Sequence, residues 1–401
     1  MPAVQKTIIN LTIMMFNRKQ NTSWMGLMLG FTLLSTSVIT SCSKDSAVVP
    51  ASANANALDR NHHSPGVGPG TTTGGTTTGG TTTGGTTTGG TTTGGTTTGG
   101  TTTGTTGTST KFTYKASAPI NLSGQSNITI SGDSITGGTA IGIHLTNCSN
   151  VHITKCKIQN STTDGIQLYN CTNVIIDSCF ITNVRAGVNA MYSTTVKVNS
   201  NQFLNMNGPF PSGNFVQLNN VNGGGIQVNY NRCEDVAGVA QHPQDGISIY
   251  QCNGLLGDSV QVIGNQIKGG QVQNDSGGGA GIVLGDVGGS YQVARNNTVV
   301  NGGFVGMQVQ GGNHIKMDHN MIYSSSTPYS NCGLCFGNYS GAASSAIYIG
   351  YNKVKFYQTS GAEMDAWWDP STAFQPDGWT TNILGASINA SILPTSLITL
   401  N

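Results

Sequence analysis

Charged residues are scarce in this sequence. Only 8% of its 401 residues are charged, the formal net charge is +1, and aromatic residues make up 7%. Proteins that bind nucleic acid through its phosphates carry clustered Lys and Arg, and neither such a cluster nor an acidic tail is present. We therefore predict that nucleic acid is not a partner. The 57 glycines, with many Asn, Thr and Ser, are typical of short strands joined by tight turns.

Long apolar runs are also rare, and one lies near the N-terminus. Lys6, Arg18 and Lys19 precede an apolar run over 25–39, and small residues then lead into Cys42. This order resembles a bacterial lipoprotein signal with its lipobox. The resemblance implies that residues 1–42 are a signal peptide, cut before a lipidated Cys42. The alternative is an uncleaved membrane anchor, although a run of about 15 residues is short for the ~20 that span a bilayer.

A lipidated Cys42 implies export, with the protein anchored at the outer membrane or cell surface, or else on the periplasmic face. The lipid is then its only membrane contact. Within residues 43–110, the TTTGG repeats over 71–100 lack the apolar side chains that offset the ordering entropy of a fold. We expect a disordered tether there. An internal start at Met14, Met15 or Met25 stays open.

The rest of the chain repeats itself. LTNCSNVHITKCKIQN begins at Leu145, and LYNCTNVIIDSCFITN follows 23 residues later at Leu168. The two-residue alternation of its apolar positions predicts strands with one face in a core. Nine registers of one turn position follow, at spacings of 22 to 34 residues: Asp133, Cys156, Cys179, Asn201, Asn231, Asn265, Asn296, Asn320 and Asn352.

Short strands repeated at this spacing cannot bury a face alone, so they stack into a solenoid. Over residues 118–358 the pattern resembles the right-handed parallel β-helix of the pectate-lyase-like superfamily. That resemblance implies an all-β fold of about nine coils, with three strands per coil and an asparagine ladder at one turn. We assign 111–358 to the β-helix and 359–401, with Trp367, Trp368 and Trp379, to a C-terminal cap. The alternative is that one tryptophan reaches the groove and stacks on a sugar.

The cysteines fit the same stacking. Cys148, Cys171 and Cys252 share one slot, and Cys156 and Cys179 replace Asn in the ladder. Coils about 4.8 Å apart place these side chains parallel rather than converging, so we predict buried free thiols. The pair Cys332 and Cys335 is assigned to an irregular loop, where a local disulfide is left open.

Extra length accumulates after the third strand of a coil, over 205–213, 234–244, 268–280 and 324–345. Insertions at one turn must line one side of a solenoid. In the resembling enzymes that wall and the first-strand sheet enclose a polysaccharide groove. The alternation predicts two outward rows on this sheet: His144, Gln167, Asn189, Gln217, Ser248, Val283, Gln308 and Tyr348, then Thr146, Tyr169, Met191, Asn219, Tyr250, Gly285, Gln310 and Gly350.

Amides, hydroxyls and aromatic rings suit sugar hydroxyls and sugar faces. The side chains that we expect to bind substrate come from both rows: Tyr250, Gln217, Ser248, Gln308, Tyr169 and Asn219. The alternative is an ordinary solvated sheet.

Carboxylates supply the predicted chemistry. Asp245, Asp286 and Asp275 come from adjacent coils, so two of them would face one glycosidic bond as acid and base, with His242 assisting. Asp164 occupies the slot of Asp245 three coils earlier, where Asp before Gly indicates a turn. Glu234 and Asp235 are further catalytic candidates, and calcium, the one cofactor considered, is the alternative role for them because it prefers oxygen ligands.

The family resemblance has gaps. Thr163-Asp164-Gly165 is similar to the Thr-Asp-Gly of polygalacturonases, but Arg185 to Asn189 lacks that family's paired aspartates, and the arginine signature of pectate lyases is missing. We predict a polysaccharide-cleaving protein, with hydrolysis favoured over β-elimination because acids outnumber bases along the groove. A non-catalytic glycan-binding or adhesion protein is the alternative. The sugar and the oligomeric state are left open.

Overall fold

The structure is a computed structural model that describes residues 112–209, 212–236, 244–269, 279–339 and 344–398. The predicted signal peptide with Cys42 and the tether lie outside these residues, as do His242 and Asp275. Among the described residues no helix is long and apolar enough to cross a bilayer.

Three parallel sheets run the length of the domain, and each coil contributes one strand to each sheet. Sheet 1 has ten strands: β2 Ile120–Ser123, β5 Ile143–Thr146, β8 Ile166–Tyr169, β11 Val188–Met191, β14 Val216–Asn219, β17 Ile247–Tyr250, β20 Ala280–Asp286, β23 Val305–Val309, β26 Cys332–Phe336 and β29 Ala366–Trp368.

Sheet 2 has nine strands: β3 Ser126–Ser131, β6 Ser149–Thr154, β9 Thr172–Asp177, β12 Thr194–Asn199, β15 Gln227–Asn229, β18 Val260–Ile263, β21 Ser290–Arg295, β24 Asn313–Asp318 and β27 Ser345–Gly350. Sheet 3 has eleven: β1 Lys115–Ser117, β4 Asp133–Gly138, β7 Lys157–Ser161, β10 Phe180–Val184, β13 Gln202–Met206, β16 Arg232–Glu234, β19 Gln266–Lys268, β22 Thr298–Val300, β25 Met321–Ser324, β28 Lys353–Phe356 and β30 Ile383–Leu384. Short 3₁₀ helices span Trp379–Thr381 and Ala390–Ile392.

The predicted all-β parallel β-helix is confirmed by these sheets. Alternate side chains of every sheet turn inward and form one continuous aliphatic core. Stacked positions carry the same residue type, as in the run Ile143, Ile166, Val188, Val216 and Ile247, which are fully buried. Each coil therefore buries its apolar face only against its neighbours, which explains why the sequence repeats.

The asparagine ladder lies at the turn from sheet 2 to sheet 3. The Oδ1 atom of Asn231 accepts from the backbone N–H of Asn201 at 3.0 Å, and the Nδ2 atom donates to the oxygen of Val198 at 2.8 Å. The predicted register at Asn296 is wrong by one residue, because Asn297 makes the ladder bonds. Asn296 instead adopts the left-handed conformation, φ 55°, which asparagine tolerates well.

The coils continue beyond Gln358, where the sequence pattern fades. Strand β29 joins sheet 1, β30 joins sheet 3, and Asn382 extends the ladder by accepting from the backbone N–H of Asn352 at 3.0 Å. Trp368 and Trp379 pack against the core, whereas Trp367 is 40% exposed on the outer face of sheet 1. The cap assigned to 359–401 thus includes another coil in its described part.

Every cysteine of the described residues is buried and unpaired. The stacked thiols donate to backbone carbonyls of the preceding coil, as Cys171 does to Leu145 at 3.4 Å. The loop assignment of Cys332 and Cys335 is wrong, because both lie in β26.

Strand β26 also changes the predicted groove. It divides the expected 324–345 insertion, so Tyr348 and Gly350 belong to β27 of sheet 2. The place given to Tyr348 is taken by Cys335. The sequence pattern did not predict β26 because this strand is buried on both faces and lacks the alternation of apolar and polar residues that marks the other strands.

The outer face of sheet 3 is partly covered by the end of the chain. Leu393, Leu397 and Ile398 pack on Leu204 and Val300. We call residues 393–398 the C-terminal strap. It covers part of sheet 3, on a different side of the coils from the predicted groove.

Candidate functional site

The outer face of sheet 1 is best described as three rows that run across the coils. The first row is given by seven successive coils. In each of these coils it holds the residue two positions before the first inward-facing residue of the strand: Asp164, Ala186, Asn214, Asp245, Ala280, Val305 and Cys332. The middle row is His144, Gln167, Asn189, Gln217, Ser248, Val283, Gln308, Cys335 and Trp367. The last row includes Thr146, Tyr169, Met191, Asn219, Tyr250 and Asp286.

A glycine follows each first-row aspartate for a packing reason. A Cβ atom at Gly165 or Gly246 would collide with a carbonyl oxygen of the next coil, at Gly187 and Gly281 respectively. Only glycine permits this close approach of the backbones. The Asp-Gly motif therefore marks where coils stack, and the chemistry of each aspartate depends on its other neighbours.

Asp245 sits at this position in the coil of β17 and is 6% exposed. Its Oδ1 atom accepts from the backbone N–H of Ala280 at 2.8 Å. Burial, and secondly the negative charge of Asp286, raise the pKa of Asp245 to about 7. This carboxyl group can therefore hold a proton near neutral pH, as a general acid must.

Asp286 comes from the next coil, at the end of β20. The sequence predicted Gly285 opposite Tyr250, but a β-bulge inserts one residue and brings Asp286 there. The hydroxyl of Ser248 donates to Asp286 Oδ2 at 3.0 Å. Burial raises the pKa of Asp286 to about 6, and the Ser248 hydrogen bond opposes that rise.

Asp245 and Asp286 thus form a pair of carboxyl groups on adjacent coils, and both have raised pKa values. Because their charges interact, the two groups titrate jointly, and the pair can hold one shared proton near neutral pH. A protonated acid beside an ionised carboxylate is the arrangement that glycoside hydrolysis needs. The adjacency of Asp245 and Asp286 agrees with the sequence analysis, and their roles stay predictions.

Asp164 has the same position but a different environment. It is fully buried, and Arg185 contacts its Oδ1 through Nε at 3.0 Å and Nη2 at 2.9 Å. Gln167 and Asn189 donate to its Oδ2 at 3.1 and 3.2 Å. With both oxygens engaged by four donors, this carboxylate links neighbouring coils in a structural role.

Two amides beside the acids were not singled out as site residues from the sequence. Asn214 lies in the first row one coil before Asp245 and is 1% exposed, and neither its Oδ1 nor its Nδ2 has a hydrogen-bond partner in the described part of the chain. The Oδ1 of Asn189 is also buried and unpartnered there. Such groups are costly to bury unpaired, so they mark a place for a polar ligand or water. In the sequence, an Asn followed by an aromatic residue does not indicate a place for a polar ligand.

The predicted substrate-binding residues fall in the middle and last rows. Gln217 and Gln308 belong to the middle row, and Tyr169, which is 44% exposed, belongs to the last row with Asn219 and Tyr250. Tyr169 packs edge-on against Tyr192, with ring centroids 5.6 Å apart.

Two other middle-row positions do not form an open floor. Ser248 is fully buried against Asp286, and Val283 packs in an apolar cluster with Val305 and Cys335. The polar floor is thus interrupted in the middle row at β17 and β20, and Gln308 of β23 lies beyond the interruption.

Glu234 and Asp235 accept hydrogen bonds from different parts of the chain. Glu234 Oε2 accepts from the backbone N–H groups of Leu397 and Ile398 at 2.8 and 3.2 Å, and its Oε1 lies 3.9 Å from Lys268 Nζ. Asp235 Oδ1 accepts from the Met206 N–H at 2.8 Å, and burial raises its pKa to about 7. Glu234 thus anchors the C-terminal strap, and calcium at these acids stays a prediction.

A family model described as a right-handed β-helix region matches residues 76–233 and 120–283, together more than half of the chain. No curated protein sequence matches.

Two solved structures are similar to this chain. An exopolygalacturonase from Thermotoga maritima is 12% identical, with a TM-score of 0.39, over 61% of this chain and 71% of that one. The catalytic unit of an α-1,3-glucanase from Streptomyces thermodiastaticus is 15% identical, with a TM-score of 0.30, over 64% of this chain. The chain spans about half of the glucanase unit, 52%.

Proposed function

This chain belongs to the right-handed β-helix family, and from that premise we propose that it hydrolyses a polysaccharide laid across the outer face of sheet 1. One observation carries the proposal. Asp245 and Asp286, from adjacent coils, are carboxyl groups whose pKa values are raised by burial to about 7 and about 6, at the border of a polar floor.

The proposed chemistry uses each member of the pair once. Asp245 donates its proton to the glycosidic oxygen as the bond to the anomeric carbon breaks. Asp286, held by the Ser248 hydroxyl, takes a proton from the water whose oxygen attacks that carbon. Asp275, the other predicted catalytic partner of Asp245, and His242, the predicted assistant, lie outside the described residues, and their roles stay predictions.

Hydrolysis fits this site better than β-elimination. A lyase acting on uronates needs a base for the C5 proton and a group that neutralises the uronate carboxylate. Asp245 and Asp286 are carboxyl groups, so neither supplies the positive charge that would neutralise a uronate.

A glycan-binding or adhesion protein is the second candidate function. The exposed Tyr169 and its partner Tyr192 favour it, because aromatic rings stack on sugar faces without any chemistry. We also propose that Cys42 is lipidated and that the tether holds the domain off the outer membrane or cell surface.

The test follows the products of polysaccharide cleavage. Full-length protein is incubated with neutral and uronate-containing polysaccharides, while reducing ends and the ultraviolet absorbance of unsaturated uronates are measured. Reducing ends alone are expected, and they must disappear in Asp245→Asn. Both signals together would establish a lyase instead, and retention on a polysaccharide gel with neither signal would establish the binder.

A further inference from the structure

Basic side chains are distributed unevenly over the three sheets. None of the ten strands of sheet 1 contains Lys or Arg. Sheet 3 carries them in β1, β7, β16, β19 and β28, and sheet 2 in β12, β21 and β24. A chain with a net charge of +1 therefore presents one side without cationic strands.

The connections at the borders of sheet 1 do not change this. The segments 207–215, 235–246 and 269–279 contain no Lys or Arg in their sequence, nor do 220–226, 251–259 and 337–344. Arg185 is the exception, and it is bound to Asp164 through Nε and Nη2. Burial lowers the pKa of His144, so its imidazole is uncharged at neutral pH.

Within the described residues, no cation contributes to the pKa of Asp245 or Asp286 on this side. Asp245 and Asp286 lie close enough for the charge of Asp286 to oppose the ionisation of Asp245. A uronate in the groove would add another negative charge to this pair, in a site where partial burial weakens screening. Proteins that bind carboxylates supply Arg or Lys for them, and this site offers neither.

The unpartnered side-chain amides of Asn214 and Asn189 also favour a neutral sugar over a uronate. Asn214 offers a free acceptor, Oδ1, and a free donor, Nδ2, and Asn189 offers a free acceptor. A sugar hydroxyl both donates and accepts, so neighbouring hydroxyls satisfy all three atoms. A carboxylate placed against these amides only accepts, so it would leave both Oδ1 atoms buried and unpaired.

Building on the proposed function, we infer that the groove over sheet 1 takes a neutral polysaccharide, read through its hydroxyl groups, and excludes polyuronates. The absence of cationic strands excludes the acidic polymers. Asn214, next to Asp245, is the specificity-determining residue for the neutral ones.

Affinity electrophoresis of the full-length protein tests this, in gels that contain laminarin, mannan, arabinan, polygalacturonate or alginate. At low ionic strength at least one neutral polymer is expected to retard the protein, and neither polyuronate, with or without calcium chloride. Retardation by a polyuronate in either condition, or by no neutral polymer, overturns the inference. Binding without reducing ends would reject hydrolysis alone, and cleavage of polygalacturonate would reject the neutral substrate alone.

Two variants test the residues. Gln217→Lys places a cation in the middle row and is expected to raise polygalacturonate affinity at least tenfold, whereas Gln266→Lys, on sheet 3, is expected to leave it unchanged. Asn214→Leu is expected to weaken binding of the neutral polymer at least tenfold with an equal or higher Tm, because it removes two unpaired buried groups. Unchanged affinity in Asn214→Leu, or equal effects of both lysines, would remove these residues from the proposal.

Discussion

Asp164 and Asp245 occupy the same position three coils apart, each followed by glycine and isoleucine, yet their surroundings differ. Asp164 meets Arg185 and two amide donors. Asp245 accepts a hydrogen bond from one backbone N–H, and the negative charge of Asp286 acts on it. The stacking of the coils fixes where an aspartate lies, whereas its side-chain neighbours decide between a structural ion pair and a proton carrier.

The greatest difference is expected in catalysis. Asp245→Asn keeps the acceptor for the Ala280 N–H but removes the transferable proton, so kcat is expected to fall by about 10² to 10⁴, or about 3 to 5 kcal/mol of barrier. Tm should not fall. Steady-state kinetics on a substrate identified as above, with thermal unfolding, measure both. If Asp164→Asn costs as much kcat per folded molecule, the two positions do not differ as proposed.

For the free energy of unfolding, the Asp164 site is expected to matter more than Asp245. Arg185→Leu leaves the Asp164 carboxylate buried without its cation, which should lower the free energy of unfolding by about 2 to 3 kcal/mol. This is less than for a fully buried pair, because the Arg185 side chain is 24% exposed. Denaturant unfolding measures the loss. Adding Asp164→Asn to this variant should recover part of it, and a double variant no more stable than Arg185→Leu alone would contradict the pairing.

The pH dependence of stability should separate the two positions further. The folded-state pKa of Asp245, about 7, lies above its unfolded value, so its favourable contribution is complete below the unfolded pKa and is lost as pH rises toward 7. Asp245→Asn should therefore gain on the order of 2 kcal/mol relative to the wild type between pH 5 and pH 8. Parallel curves for the two proteins in denaturant unfolding at both pH values would show that Asp245 is not buried as described.

The smallest effect concerns the partner carboxyl. Ser248→Ala removes the hydroxyl that favours ionised Asp286, so the pKa of Asp286 should rise. The acidic limb of the kcat profile is then expected to move upward by about half a pH unit, whereas Ser248→Thr should preserve it. An unmoved limb would mean that Asp286 does not act as the base.

The fold was largely predictable because stacking forces chemically similar residues into each slot. The failures have local causes. Asn296 and Asn297 are consecutive, and one suits the ladder while the other suits a left-handed turn, so the spacing alone could not choose between them. In β27 the alternation of Ile347 and Ile349 equals that of a sheet 1 strand, which concealed β26.

The candidate site was predictable only in outline. Repeat spacing placed Asp245 and Asp286 on adjacent coils, but the bulge that aims Asp286 at Ser248 depends on one extra residue whose position no periodicity marks. The pairing of Arg185 with Asp164 and the unpartnered atoms of Asn214 depend on side-chain conformations across coils. Those relations arise from packing, which the sequence pattern does not encode.

The C-terminal strap has a consequence for biosynthesis. Glu234 receives its backbone partners from residues 163 and 164 positions later in the chain, and Leu204 and Val300 are covered by the same segment. Coils can stack one after another as the ribosome delivers them, but this strip of sheet 3 stays open until residues 393–398 have been made. A chain that stops early would thus display an apolar strip and an uncapped carboxylate, by which cellular quality control could distinguish it from a finished molecule.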